Sequence, residues 1–205
     1  MIDRVRLLAG LQAVQPQITE AAVAELVPLF TRQSHPRGAP LLQPGQVWSA
    51  ATVIESGLVR MHFLRRDGRE FNKNFFSEGS LICPLTPAMW AEPSLFGISC
   101  IEPTQIWRCD CARFREVLDR HGHWEPLQRE LLTRLLTGKL QREHDLLALS
   151  GRQRYESFCR LFPALSNRIP LLHLATYIGL TDVSLSRLRR EIRGEADDSG
   201  PDIAL

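Results

Sequence analysis

The sequence predicts an α+β chain in which an antiparallel β-roll is followed by one long helix and then by a helix-turn-helix. Three observations predict it. Between about residues 33 and 108, short β-rich runs alternate with Pro36-Arg37-Gly38, Pro44-Gly45, Ser56-Gly57, Asp67-Gly68 and Glu78-Gly79. Turns spaced this regularly mark a small antiparallel sandwich or barrel. From Trp124 to Leu149 leucines recur at helical spacing, and from Leu171 to Arg193 two helical patterns meet at Gly179. Three regions are expected: a β-roll at 1–120, a linking helix at 121–149, and a helix-turn-helix region at 150–205.

Composition bounds the function. The chain has 205 residues, 44% of them hydrophobic and 23% charged, which is ample for a core and excludes a disordered chain. No apolar run approaches the ~20 residues of a membrane span. The start, Met1 to Arg6, lacks the apolar block of a secretory signal, so a soluble cytoplasmic protein is expected, with no membrane partner. Cys83, Cys100, Cys109, Cys111 and Cys159 are odd in number and have no C-x-x-C spacing, which fits reduced thiols better than a disulfide framework. The formal net charge is only +2, but 23 of the 25 basic residues are arginine. Arginine suits phosphate and guanine edges, while a GC-rich genome produces the same bias. Where the arginines lie decides between the two.

Taken in order, residues 18–31 read as an amphipathic helix bearing Ala21, Val23, Leu26, Val27 and Phe30, which Pro28 kinks or ends early. Leu58 to Leu64 alternates apolar residues with Arg60 and His62, and Asp67-Gly68 turns the chain into a partner strand, Glu70 to Phe76. Cys111 to Arg120 reads as a short helix. In the long helix Pro126 sits in the first turn, where its missing N–H costs nothing. The leucine pairs 131–132 and 135–136 widen its apolar face beyond one contact surface, enough to pack on its own domain and on a second copy of the chain. A two-fold homodimer is the expected assembly. Ser150-Gly151 breaks the pattern, Arg152 to Phe162 reads as a helix ended by Pro163, and Glu195 to Pro201 reads as a loose acidic tail.

Residues 171–192, LLHLATYIGLTDVSLSRLRREI, carry the chemistry. Leu171, Leu174, Ala175 and Ile178 give the first helix its apolar face. Gly179 supplies the turn, Leu180 plugs the space between the helices, and Thr181 caps the second helix. Leu185, Leu188 and Ile192 then face inward, so at ~100° per residue Val183, Arg187 and Arg190 point away from the core. Ser186 flanks that face, with Arg189 and Arg193 nearer its edges. An arginine stripe backed by a buried face is what a recognition helix needs, its first residues on base edges and its flanks on phosphates. Residues 151–194 hold eight arginines against Glu156, Asp182 and Glu191, a balance of +5. The DNA-contacting set expected is Thr181, Val183, Ser184, Ser186, Arg187, Arg189, Arg190 and Arg193. A solvated helical hairpin, with arginine by composition, is the bland alternative.

Together the parts resemble the Crp/Fnr family of bacterial transcription regulators over nearly the whole chain. The resemblance rests on Gly57-Leu58-Val59-Arg60, Asp67-Gly68-Arg69-Glu70, Phe75-Phe76-x-Glu78-Gly79, and above all Leu174-Ala175-Thr176-Tyr177-Ile178-Gly179-Leu180-Thr181 with Ser184-Leu185-Ser186-Arg187. It implies a cyclic-nucleotide-binding-like β-roll and a homodimer on palindromic promoter DNA, with RNA polymerase as a candidate partner. Ser186 and Arg187 fall on the family's base-contacting Ser-Arg pair. Two departures stand out. Val183 stands where one branch of the family has a glutamate, and it can pack on a thymine methyl instead. After Arg193 only Gly194 and an acidic stretch follow, so the β-wing is expected to be truncated or missing.

The resemblance also frames the signal. In the cyclic-nucleotide cassette Ser80 replaces the ribose-binding glutamate, and Pro93-Ser94 offers no guanidinium for a phosphate, so cyclic AMP is not the expected ligand. The iron–sulfur branch needs clustered N-terminal cysteines, and none occurs before Cys83. No metal or other cofactor is expected, since Cys109-x-Cys111 and His121-x-His123 read as ordinary thiols and helix-start residues. An unknown small-molecule effector is a candidate partner, with Ser80, Trp90, Ser94 and Phe96 around the irregular segment 84–93 as its pocket; those aromatics equally suit a plain core. A cupin-type metalloenzyme needs converging histidines, and the β region has only His35 and His62, far apart. The chain is therefore read as a non-enzyme. A β-roll acting through protein partners without DNA is the competing class.

Overall fold

The computed structural model describes residues 4–14 and 16–198 and divides into two compact units, Met1–Leu140 and Gln141–Leu205. The division falls inside the long helix, α5 (Trp124–Ala148).

In the first unit, α1 (Arg4–Val14) precedes the helix expected at 18–31. That expected helix is shorter than its apolar pattern: α2 spans Glu20–Leu26 and gives way at Val27–Leu29 to a 3₁₀ turn carrying Pro28. Proline has no N–H for the α-helical ladder, so the pattern outlasts the helix. Thr19 caps α2, its hydroxyl accepting from the Ala22 N–H at 3.4 Å.

Eight strands follow: β1 (Thr31–His35), β2 (Pro40–Leu42), β3 (Ala50–Ser56), β4 (Val59–Leu64), β5 (Glu70–Phe76), β6 (Leu81–Ile82), β7 (Phe96–Cys100) and β8 (Thr104–Asp110), with a short helix, α3 (Pro87–Ala91), before β7. They form two antiparallel sheets, β1-β8-β3-β6 and β2-β7-β4-β5. The β4–β5 hairpin is the one expected. Gly68 takes φ +81°, its N–H reaches the Arg65 carbonyl at 3.0 Å, and Asp67 accepts from the Arg69 N–H.

Strands β3, β6 and β8 of the first sheet carry buried side chains on both faces, and alternation along them sorts the residues. Ala51, Val53, Leu81, Trp107 and Cys109 face a cluster completed by Leu11, Val23, Leu26, Phe114, Leu118, Trp124 and Leu127 from α1, α2, α4 (Cys111–Arg120) and α5. Ile54, Ile82 and Ile106 face the roll interior with Trp48, Val59, Met61, Phe96 and Ile98. Of the leucines of α5 in this unit, Leu127 is fully buried and Leu131 and Leu132 pack on the helical cluster, whereas Leu136 and Leu140 are 59% and 58% exposed.

Among the described residues the second unit contains the end of α5 and four helices: α6 (Gly151–Leu161), α7 (Pro163–Ser166), α8 (Leu171–Ile178) and α9 (Asp182–Asp198). Ser150 and Gln153 cap each other at the start of α6, each side chain accepting from the other's N–H at 3.3 and 2.9 Å. Pro163, expected only to stop a helix, opens α7 as its first residue, where a proline costs no hydrogen bond. The tail expected from Glu195 is helical as far as Asp198, and Glu195 pairs through both oxygens with Arg152. Residues 199–205 lie outside those described, and the expectation of a truncated or missing wing falls on them. No helix among the described residues is long and apolar enough to cross a membrane.

Candidate nucleic-acid interface

The core of the second unit is small: Phe158, Ile169, Leu174, Ala175, Ile178 and Leu185. Each large apolar side chain buried in it is worth about 1.5–3 kcal/mol. The turn between α8 and α9 is built as its residues dictate. Gly179 adopts φ 71°, and its N–H and that of Leu180 both reach the Ala175 carbonyl. Leu180 is half-buried and lies against Gly151, where a Cβ would come within 2.9 Å of its Cδ2. A larger residue at 151 displaces that leucine methyl.

Thr181 caps α9, its hydroxyl accepting from the Ser184 N–H at 3.1 Å and donating to the Ser184 Oγ at 2.8 Å. With Leu185 fully buried, Val183 (64% exposed), Arg187 and Arg190 stand on the solvent side. Ser184 and Arg193 are exposed as well, and Ser186 is half-buried at the margin. Arg189 is placed differently. It is half-buried, its Nη2 donates to the Ser166 carbonyl at 3.3 Å, and its guanidinium lies 5.3 Å from the centre of the Tyr155 ring. This arginine ties α9 to α6 and α7. Tyr155 and Ser166 carry no helical periodicity that marks such a role in sequence; the contact is purely tertiary.

Of the four residues expected around an effector, Trp90 and Phe96 join different hydrophobic clusters. Trp90 packs on the helical cluster, 6.3 Å from Trp124, with the Arg115 guanidinium 5.1 Å above its ring. Phe96 lies in the roll interior, edge-on to Trp48 at 5.6 Å and to Phe63 at 6.5 Å. Ser94 spends its hydroxyl on the backbone of Phe96, donating to the carbonyl at 2.8 Å and accepting from the N–H at 3.2 Å. Ser80 meets β3 through its carbonyl, which accepts from the Ile54 N–H.

Among the described residues no group of three or more His, Cys, Asp or Glu is placed to hold a metal ion. Cys83, Cys100, Cys109 and Cys111 are buried free thiols. Burial and neighbouring thiols push Cys83 well up, and burial brings Cys111 to about 11, so all remain protonated and poor nucleophiles. His62 is buried beside Arg60, and both reach Glu70, at 3.3 and 2.6 Å. Burial, and then the Arg60 charge, lower its pKa.

No protein-family model and no curated protein matches the sequence. Solved structures do match in fold. The c-di-GMP-responsive global regulator CLP of Xanthomonas campestris aligns over 87% of this chain and 93% of its own, with TM-score 0.69 and 14% identity. A regulator assigned to the Crp/Fnr family from Eubacterium rectale aligns over 89% and 87%, with TM-score 0.69 and 14% identity. A doubly substituted CooA from Carboxydothermus hydrogenoformans aligns over 87% and 81%, with TM-score 0.65 and 18% identity. The β-roll, the long helix and the helix-turn-helix thus occur in this order in solved transcription regulators, and the chain has the Crp/Fnr-type fold.

Proposed function

We propose that this chain is a transcription regulator that acts as a homodimer and reads a palindromic DNA site through α9. The observation that carries the reading is the outward stripe of Val183, Arg187 and Arg190, set directly opposite the fully buried Leu185. A helix this firmly backed presents its side chains in a fixed register to a major groove, two copies entering successive grooves about one helical turn apart. Arg187 reads a base edge; Thr181, Ser184, Arg190 and Arg193 line the backbone; Val183 supplies an apolar contact of the kind a thymine methyl accepts. Arg189 serves by anchoring the helix. The exposed Leu136 and Leu140 support the dimer, and promoter occupancy makes RNA polymerase a candidate partner.

The test is selection of bound fragments from genomic DNA by the purified protein, without added ligand, at two salt concentrations. A palindromic motif that survives the higher salt is the expected result. Motif-free, salt-sensitive retention implies a missing small-molecule effector, and no retention at either salt favours a β-roll acting through protein partners. On the selected site, Arg187→Ala is expected to cost ~1–3 kcal/mol and to relax the preference at one base pair. Arg193→Ala is expected to weaken all sequences alike and to reduce the salt slope by about one. Fluorescence anisotropy titrations on cognate and scrambled duplexes check both; an Arg187→Ala protein with wild-type preference removes that residue from base reading.

A further inference from the structure

The carboxyl end of α8 is held from two directions. The N–H groups of Gly179 and Leu180 both go to the Ala175 carbonyl. One donor comes from far away in sequence. Arg142, in the part of α5 that belongs to the second unit, donates to the Tyr177 carbonyl from both Nε at 3.2 Å and Nη2 at 3.0 Å. Its guanidinium also lies 4.8 Å from the centre of the Tyr177 ring. One turn further along α5, Leu146 Cδ2 sits where a Cβ on Gly179 would come within 2.8 Å. The same stretch of α5 therefore holds the last turn of α8 by a charged fork and fills the space against its glycine.

The chemistry makes the fork selective. A half-buried guanidinium donating to a helix C-terminal carbonyl places positive charge at the negative end of the α8 dipole, and it does so in a surrounding drier than water. A lysine has one compact ammonium and cannot both fork the carbonyl and stack on the ring. The turn it grips leads straight into the cap of α9, so the direction in which α9 leaves α8 depends on it.

Building on the DNA-reading role, we propose that Arg142 is a positioning residue for α9: it touches no base, and it sets the angle at which Val183 and Arg187 are presented. Full-length wild type, Arg142→Ala and Arg142→Lys are compared on the selected duplex and on a scrambled duplex of equal length. Amide hydrogen exchange is followed at residues 179–185, together with thermal melting. For Arg142→Ala, affinity for the selected duplex is expected to fall roughly tenfold or more, as loss of a charged hydrogen bond implies. Affinity for the scrambled duplex is expected to hold within about twofold, and exchange at the turn to quicken, because phosphate contacts tolerate a misdirected helix that base contacts do not. Arg142→Lys is expected to recover part of the discrimination. Parallel loss on both duplexes with a shallower salt slope overturns the proposal, since it means that Arg142 itself contacts phosphate. Wild-type discrimination and unchanged exchange in Arg142→Ala overturn it too. If the wild type itself discriminates no duplex, the DNA reading fails instead, and exchange at 179–185 alone decides whether Arg142 holds the turn.

Discussion

Replacing Leu136 and Leu140 together by glutamate is expected to convert a two-chain particle into a one-chain particle without unfolding it. Both side chains are more than half exposed within the single chain, so charging them there changes stability by no more than about 0.5 kcal/mol. In a two-fold seam along α5 the same change places four carboxylates against one another in a desolvated contact, where each uncompensated charge costs several kcal/mol. The consequence for DNA is larger still. A dimer binds its second half-site intramolecularly, and losing that linkage removes about 10²–10⁴-fold in overall affinity. Sedimentation equilibrium checks the mass, and titration of a full palindrome against a single half-site checks the linkage. An unchanged mass in the double variant, or equal affinity for palindrome and half-site in the wild type, refutes the proposed dimer seam.

Leu185→Ala is expected to cost about 2–5 kcal/mol, the usual range for emptying a fully packed leucine site. Few other core residues share the load: among the described residues Phe158, Ile169, Leu174, Ala175 and Ile178 complete the buried apolar set of its unit. A core of that size supports only marginal stability, so this one truncation consumes most of it. Two residues away, Val183→Ala is expected to leave stability within about 0.5 kcal/mol, because that side chain is 64% exposed. Its effect is expected on DNA instead, as weaker preference where the thymine methyl sits. Thermal melting followed by helical circular dichroism separates the two. Similar destabilisation by both substitutions contradicts the inward and outward faces assigned to α9.

The faces of α9 were legible because they follow from spacing alone. Leu185, Leu188 and Ile192 recur at one angle around a helix, and no distant residue is needed to decide which way Arg187 points. Gly179 and Thr181 were legible for the same reason, as a turn and a cap are chosen by one or two residues' own backbone and hydroxyl chemistry. The 67–68 hairpin belongs with them. Chain ends of elements were less so: the apolar pattern ran through Val27 and Phe30 although Pro28 ends the α-helix, and the acidic residues after Gly194 hid the helical run to Asp198.

Spacing and residue type alone settle the order of the parts, the two helices that meet at Gly179 and the outward stripe of α9. Long-range packing places Trp90 on the helical cluster and Phe96 in the roll interior. It alone showed Arg189 turned onto Tyr155 and Ser166, and Arg142 reaching the end of α8. The physical reason is one of range. Helical phase, capping and turn chemistry act within about four residues, where sequence spacing equals spatial proximity. A guanidinium chooses its carbonyl, and an aromatic ring its side of a sheet, only after segments tens of residues apart have packed.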